Sequence, residues 1–200
     1  YHTVGLAMHH GAIPYVDVWD RKPFGLFTLF YLIGFLSGNV IAYQIAAALF
    51  AAGTAFVIAM ICRELDALSE RDGAAKAIGP LGAALAGLAY LFWLAPLGAY
   101  GGQSPIWYNL FIAIAVWLVV RAIPDLRAGR APAPLALAML LAGAAITIKQ
   151  TAFFEAAFLG LYAVWLLHRS GVGTTRVIGT ATLWALIGAA PALAIALGYA

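Results

Sequence analysis

Six apolar runs, at 40–61, 77–97, 105–121, 132–148, 150–168 and 177–200, fill most of the chain beyond its first forty residues. A helix needs about 20 such residues to cross the hydrocarbon core of a bilayer, and the two runs of 17 residues come close to that length. Only 10% of the 200 residues are charged, against about 25% in soluble domains. A soluble globular fold is thereby excluded. The expected fold is all-α and polytopic: about six transmembrane helices in a single membrane domain over residues 1–200, with two interfacial helices in a loop at 1–39. The chain starts at Tyr1 without Met and ends within an apolar run, so it reads as an internal piece of a longer polytopic protein. Pro191 falls inside the last run, where it is expected to kink the helix or mark its buried side. The net charge of +3 is modest and forms no stripe, which argues against a nucleic-acid partner. One cysteine, Cys62, cannot make a disulfide framework and reads as a packing residue.

Charge bias orients these helices. The connections 62–76, 121–131 and 169–176 carry eight of the eleven Lys and Arg residues. Residues 98–104 carry none, and the turn near 149 carries Lys149 alone. With the arginine-bearing loops cytoplasmic, residues 1–39, 98–104 and the Lys149 turn all fall on the external face. Residues 24–37 are then too short, and on the wrong side, to form another span. They are expected to lie at the outer interface, as is a short helix over 1–10 that ends at Gly11-Ala12-Ile13-Pro14. Trp19, Trp93, Trp107 and Tyr100 fit an outer aromatic belt, with sugar stacking by Trp107-Tyr108 as the alternative.

Residues 11–23 hold Asp17, Asp20, Arg21 and Lys22 between Pro14 and Pro23. Pro23 suits the first turn of a helix, and it pushes Lys22 towards extended backbone at the mouth of that helix. A lysine beside free helix N–H groups suits a phosphate. The alternative is a solvated loop whose charges pair with lipid headgroups.

The pattern Gly11-x-x-Pro14-Tyr15-x-Asp17-x-Trp19-Asp20-x-Lys22-Pro23 resembles the first extracytoplasmic loop of GT-C membrane glycosyltransferases. The branch is the protein-mannosyltransferase-like one that includes the aminoarabinose transferases. Arg63, and Lys149 with Gln150, fit the family's order of elements. The resemblance implies an inverting transfer of a hexose or pentose from a polyprenyl-phosphate donor. The acceptor would be an extracytoplasmic lipid, glycan or protein, and the setting the bacterial inner membrane with its lipids. It implies that Lys22 binds the donor phosphate, helped by Arg21 and Lys149. It also implies a catalytic Asp just before the position of Tyr1, so the base is unassigned, with Asp17 and Asp20 as weak candidates or loop-orienting residues. Tyr15, Gln103, Asn109 and Gln150 are candidates for substrate contact. Where relatives place Glu before Lys-Pro this chain has Arg21, which puts a metal there in doubt. No cofactor is assigned, and a divalent metal stays an open alternative.

Lys149 on its turn is expected to approach the same cavity as Lys22, or to snorkel to headgroups. Glu155, six residues on, is expected to pair with a cation or to line that cavity, as an intramembrane carboxylate. His9 and His10 suggest a metal site only weakly, because adjacent histidines on a helix point apart and no Cys supports them. The rival function is a multi-pass transporter or flippase of a lipid-linked substrate, using Lys149 and Glu155 as a relay.

Overall fold

A computed structural model describes residues 1–96 and 102–199. Its described residues form eight α-helices and no strand: α1 (His2–His9), α2 (Phe24–Gly34), α3 (Val40–Arg71), α4 (Gly79–Leu94), α5 (Ser104–Arg127), α6 (Pro134–Ile148), α7 (Ala152–Arg169) and α8 (Thr174–Gly198). The expected span end at 97 and the belt residue Tyr100 lie outside the described residues. Of the eight helices, α3, α5 and α8 are long and apolar enough to cross a membrane. The helices α2, α4 and α6 are apolar but shorter. Many large apolar side chains point outwards, among them Phe56, Phe92, Phe154 and Leu197, each at least two-thirds exposed. Such a surface at a mean hydropathy of +0.95 needs a covering, and lipid supplies one.

Local chemistry starts several of the helices. Asn39 caps α3, its Oδ1 accepting from the Ile41 N–H at 3.0 Å. Prolines open α4, α5 and α6, where a missing N–H costs nothing. Helix boundaries differ from the sequence reading in several places, three of them by extension. Helix α3 runs ten residues past the apolar segment, to Arg71, and Gly73 ends it with a φ of +81°. Helix α5 continues past 121 to Arg127, with Pro124 inside it and Leu126 fully buried. Helix α8 passes through Pro191 and begins three residues early, at Thr174. The cause is common: backbone hydrogen bonds continue a helix into water whenever the next residues favour it, and charge alone does not stop one.

The beginning of α4 is held from another helix. Asp66 on α3, 5% exposed, accepts from the N–H groups of Ala77, Ile78 and Gly79 at 3.1, 3.0 and 2.7 Å. It thereby satisfies orphan donors that would otherwise end in solvent. The Ile78 N–H foremost, then those of Gly79 and Ala77, hold this carboxyl below its ordinary range, against the opposing effect of burial.

Two apolar clusters bind the bundle. One joins α5, α6, α7 and α8 through Leu126, Leu135, Ala163, Leu167 and Trp184. The other joins α2, α3, α5 and α6 through Leu26, Phe30, Ala47, Trp107 and Ile148. Helices α6 and α8 touch backbone to backbone at Gly143 and Gly188, where a Cβ on Gly143 would run into the Gly188 carbonyl. The bundle therefore has two ends. At one, Arg127 meets Asp72 at 2.9 Å, and Gly129 lies against Ser170 and Val172. At the other, residues 11–23, the Lys149 turn and the C-terminus of α8 meet.

Candidate functional site

Helices α1 and α2 fold against each other and present residues 11–23 between them. Gly5 lies against the backbone of Phe30, a contact with no room for a Cβ. His9 hydrogen-bonds through Nε2 to the Tyr31 carbonyl at 2.8 Å, and its ring stacks on Tyr31 at 4.4 Å. That explains His9 as a helix-packing residue, while His10 is exposed. Among the described residues no three His, Cys, Asp or Glu side chains gather around a metal position.

The loop is tied to itself. The Asp17 and Val16 N–H groups donate to the Ile13 carbonyl at 2.9 and 3.2 Å. In return, Asp17 Oδ2 accepts from the Ile13 N–H at 2.8 Å. Asp20 Oδ1 accepts from the Lys22 N–H at 3.2 Å. Each carboxylate thus spends an oxygen on the loop's own backbone.

Tyr15 is the pin. Its φ is +68°, a conformation that costs a bulky residue of order 1–3 kcal/mol and persists only when neighbours impose it. Those neighbours are visible. Its N–H donates to the Val18 carbonyl at 2.8 Å, and its hydroxyl donates to the Lys22 carbonyl at 2.5 Å. Its ring packs on Phe27, Tyr199 and Trp19, with centroids 5.7, 6.1 and 6.3 Å away. Burial first, then the nearness of Tyr199 and Asp20, pushes its phenol from 10.0 up to about 12. Tyr15 therefore stays a hydrogen-bond donor to Lys22 at any physiological pH. Tyr199, at the end of α8, adds a bond from its own hydroxyl to the Pro14 carbonyl at 3.2 Å.

Lys22 is half-buried, and its Nζ sits 5.9 Å from the centre of the Tyr1 ring. Lys149 has extended backbone between α6 and α7, and its Nζ sits 5.4 Å from the centre of the Tyr108 ring. Both tyrosines pack against the cluster of Leu26, Phe30 and Ile148. Each lysine therefore rests on a tyrosine that packs against the same apolar cluster. Neither they nor the exposed Arg21 make an ion pair with any described carboxylate. Gln150 is exposed beside Lys149.

Beneath the loop lies a cavity of about 920 Å³, walled mostly by apolar side chains. Met8, Pro14, Phe24, Phe111, Ile148 and Tyr199 are among its lining residues, with Thr28 and Thr147 as polar points. Lys22 and Lys149 do not line it. Each is close in sequence to a residue that does: Phe24 two positions after Lys22, and Ile148 immediately before Lys149.

Other expected residues fall elsewhere. Gln103 is exposed at the start of α5 and borders a smaller cavity of about 140 Å³ with Tyr1, His2 and Tyr43. Asn109 donates to the Tyr90 hydroxyl at 3.3 Å, which ties α5 to α4. Trp107 is no belt residue and is closed to sugar: it is wholly buried, its Nε1 donating to the Gly102 carbonyl at 3.0 Å. Trp19 and Trp93 are exposed, at 80% and 57%. Glu155 is exposed in the first turn of α7, where the helix dipole favours an acid, so it is neither buried nor part of the cavity wall. Sequence reasoning missed Tyr1, gave Tyr108 only a part in sugar stacking, and missed Tyr199. The first two support lysines far from them in sequence, and the third sits in an apolar run with no local sign of its role.

Comparison with known protein families, with characterised proteins and with solved structures returned no match to this chain.

Proposed function

We propose that this chain belongs to a membrane glycosyltransferase of the GT-C type, which moves a sugar from a polyprenyl-phosphate donor to a lipid, glycan or protein acceptor. The observation that carries the reading is a braced loop whose Arg21 and Lys22 make no ion pair with a described carboxylate, set over the large apolar cavity. A donor of this class has the same division: an anionic head on a long apolar tail.

In this reading α3 to α8 make six crossings, the shorter helices being accommodated by local thinning of the bilayer. The arginine-bearing end lies in the cytoplasm of a bacterial cell, and residues 11–23 face outwards. Lys22 leaves the Tyr1 ring to meet the donor phosphate. The exchange is favourable because an exposed cation–π contact is worth about 0.5–1 kcal/mol, whereas a hydrogen bond to a charged group is worth about 1.5–3 kcal/mol. Arg21 and Lys149 add positive charge around the same phosphate. The acceptor oxygen attacks the anomeric carbon, the bond to the phosphate oxygen breaks with inversion, and a carboxylate takes the acceptor's proton. Asp17 and Asp20 are positioning residues in this scheme, and the base is an aspartate preceding Tyr1, as the resemblance implies.

The test uses membranes carrying the full-length protein, supplied with radiolabelled polyprenyl-phosphate sugar. Label is expected to pass to an acceptor, and Lys22→Ala is expected to lower the rate about 100-fold, the loss typical for removing one charge-stabilising donor. An unchanged rate in Lys22→Ala would reject the phosphate role. Movement of intact donor across the membrane, without transfer, would favour the flippase.

A further inference from the structure

We infer that the pocket between the C-termini of α5 and α7 holds the phosphate of an anionic phospholipid, a site at the opposite end of the bundle from residues 11–23. The pocket has a volume of about 290 Å³ and is lined by Arg127, Tyr162, Trp165, Leu166, Arg169 and Ser170. Two arginines therefore converge on it. Arg127, about half exposed, gives only Nη1 to Asp72, at 3.1 and 2.9 Å, so Nε and Nη2 keep their donors. Arg169 has no carboxylate partner among the described residues. Its guanidinium is steadied over the Trp165 ring at 5.9 Å. The Ser170 hydroxyl donates to the Leu167 carbonyl at 2.7 Å, so its proton is committed and the guanidinium groups must do the binding.

The local field has opposing parts. The ends of α5 and α7 each present about half a negative charge, and Asp72 presents a full one. What tips the balance is the whole end of the bundle. Around residues 11–23 and 149–155, three cations (Arg21, Lys22, Lys149) meet three carboxylates (Asp17, Asp20, Glu155) and cancel. All of the chain's net charge of +3 therefore lies at the Arg127–Arg169 end. An anionic leaflet attracts such an end.

The neighbouring rings distinguish a lipid from free phosphate. Phe158 and Tyr162 stack at 6.1 Å with 10° between their planes, and Tyr162 and Trp165 at 5.8 Å with 24°. This column leads from the pocket along the outer face of α7, where Phe158 is 66% and Leu161 71% exposed. A head at the arginines and an acyl chain along the rings satisfy both parts, and inorganic phosphate would use only one. The site rests on the proposed membrane crossing and is independent of the transfer chemistry.

Native mass spectrometry of the detergent-purified full-length protein tests it, with phosphatidylglycerol, phosphatidylcholine and inorganic phosphate as separate probes. One retained phosphatidylglycerol is expected. Its affinity is expected to fall about tenfold in Arg127→Gln and in Arg169→Gln, and to change less than about twofold in Arg176→Gln. Equal losses in Arg169→Gln and Arg176→Gln would mean diffuse attraction and overturn the site. So would equal retention of phosphatidylcholine, or displacement of the lipid by inorganic phosphate. Unaltered melting of each variant separates lost binding from lost fold, and Lys22→Ala, slowed in transfer, is expected to retain the lipid.

Discussion

Asp66 works at a distance that no capping pattern covers: its acceptors serve backbone donors 11 to 13 positions along the chain. Asp66→Ala is expected to lower the melting temperature of the purified protein at pH 7, because three N–H groups at the start of α4 lose their acceptor. The pH dependence follows from the sign of the shift. The folded carboxyl titrates below its ordinary 3.8, so its contribution is complete above that pH and drains away as pH falls further. The gap in melting temperature between wild type and Asp66→Ala should accordingly close below pH 3.8. A gap that widened in acid would contradict the assignment. The loop residues Asp17, Asp20 and Lys22 were legible because charges stand out in so apolar a chain. Asp66 was not, since its partners are backbone groups without any side-chain signature. Trp107 was misread because an indole looks the same in sequence whether it meets lipid headgroups or a carbonyl inside the bundle.

The helices were legible as apolar runs, and their ends were not. Hydropathy locates where lipid begins, whereas the hydrogen-bond ladder of α3 or α5 stops only at a residue such as Gly73 or Gly129, with φ of +81° and +74°. Contacts between helices depend on which small residues face one another, and that too is invisible in a chain with 21 glycines. Gly143 and Gly160, on neighbouring helices, make the point. A methyl group on Gly143 must displace the backbone of α8, so Gly143→Ala is expected to cost about 1–3 kcal/mol. A methyl group on Gly160 meets only the Met139 sulfur at 3.8 Å. Gly160→Ala should therefore be neutral, or stabilising by up to about 1 kcal/mol through helix propensity. Unfolding of both variants in mixed micelles by rising detergent denaturant would rank them, and equal behaviour would refute the close α6–α8 contact.

For the molecule as a whole, the arrangement of ends is the quantity to measure. In a Cys62→Ser background, Val16→Cys and Gln150→Cys are expected to react with an impermeant thiol reagent from outside the cell. Ala74→Cys and Thr174→Cys should react only after the membrane is opened. Labelling of positions 16 and 74 from the same side would break the proposed six crossings. The bond from Tyr199 to Pro14 has a further meaning for how the protein is made. It joins positions 185 residues apart, and the whole bundle must be threaded and closed before it forms. Contacts of such separation come late in folding, since the intervening chain must be ordered first. The bonds within residues 11–23 need no part of α8, whereas the brace from Tyr199 waits for it. A half-built chain would then hold a loop without its last brace, so the finished geometry of residues 11–23 signals that the final helix is in place.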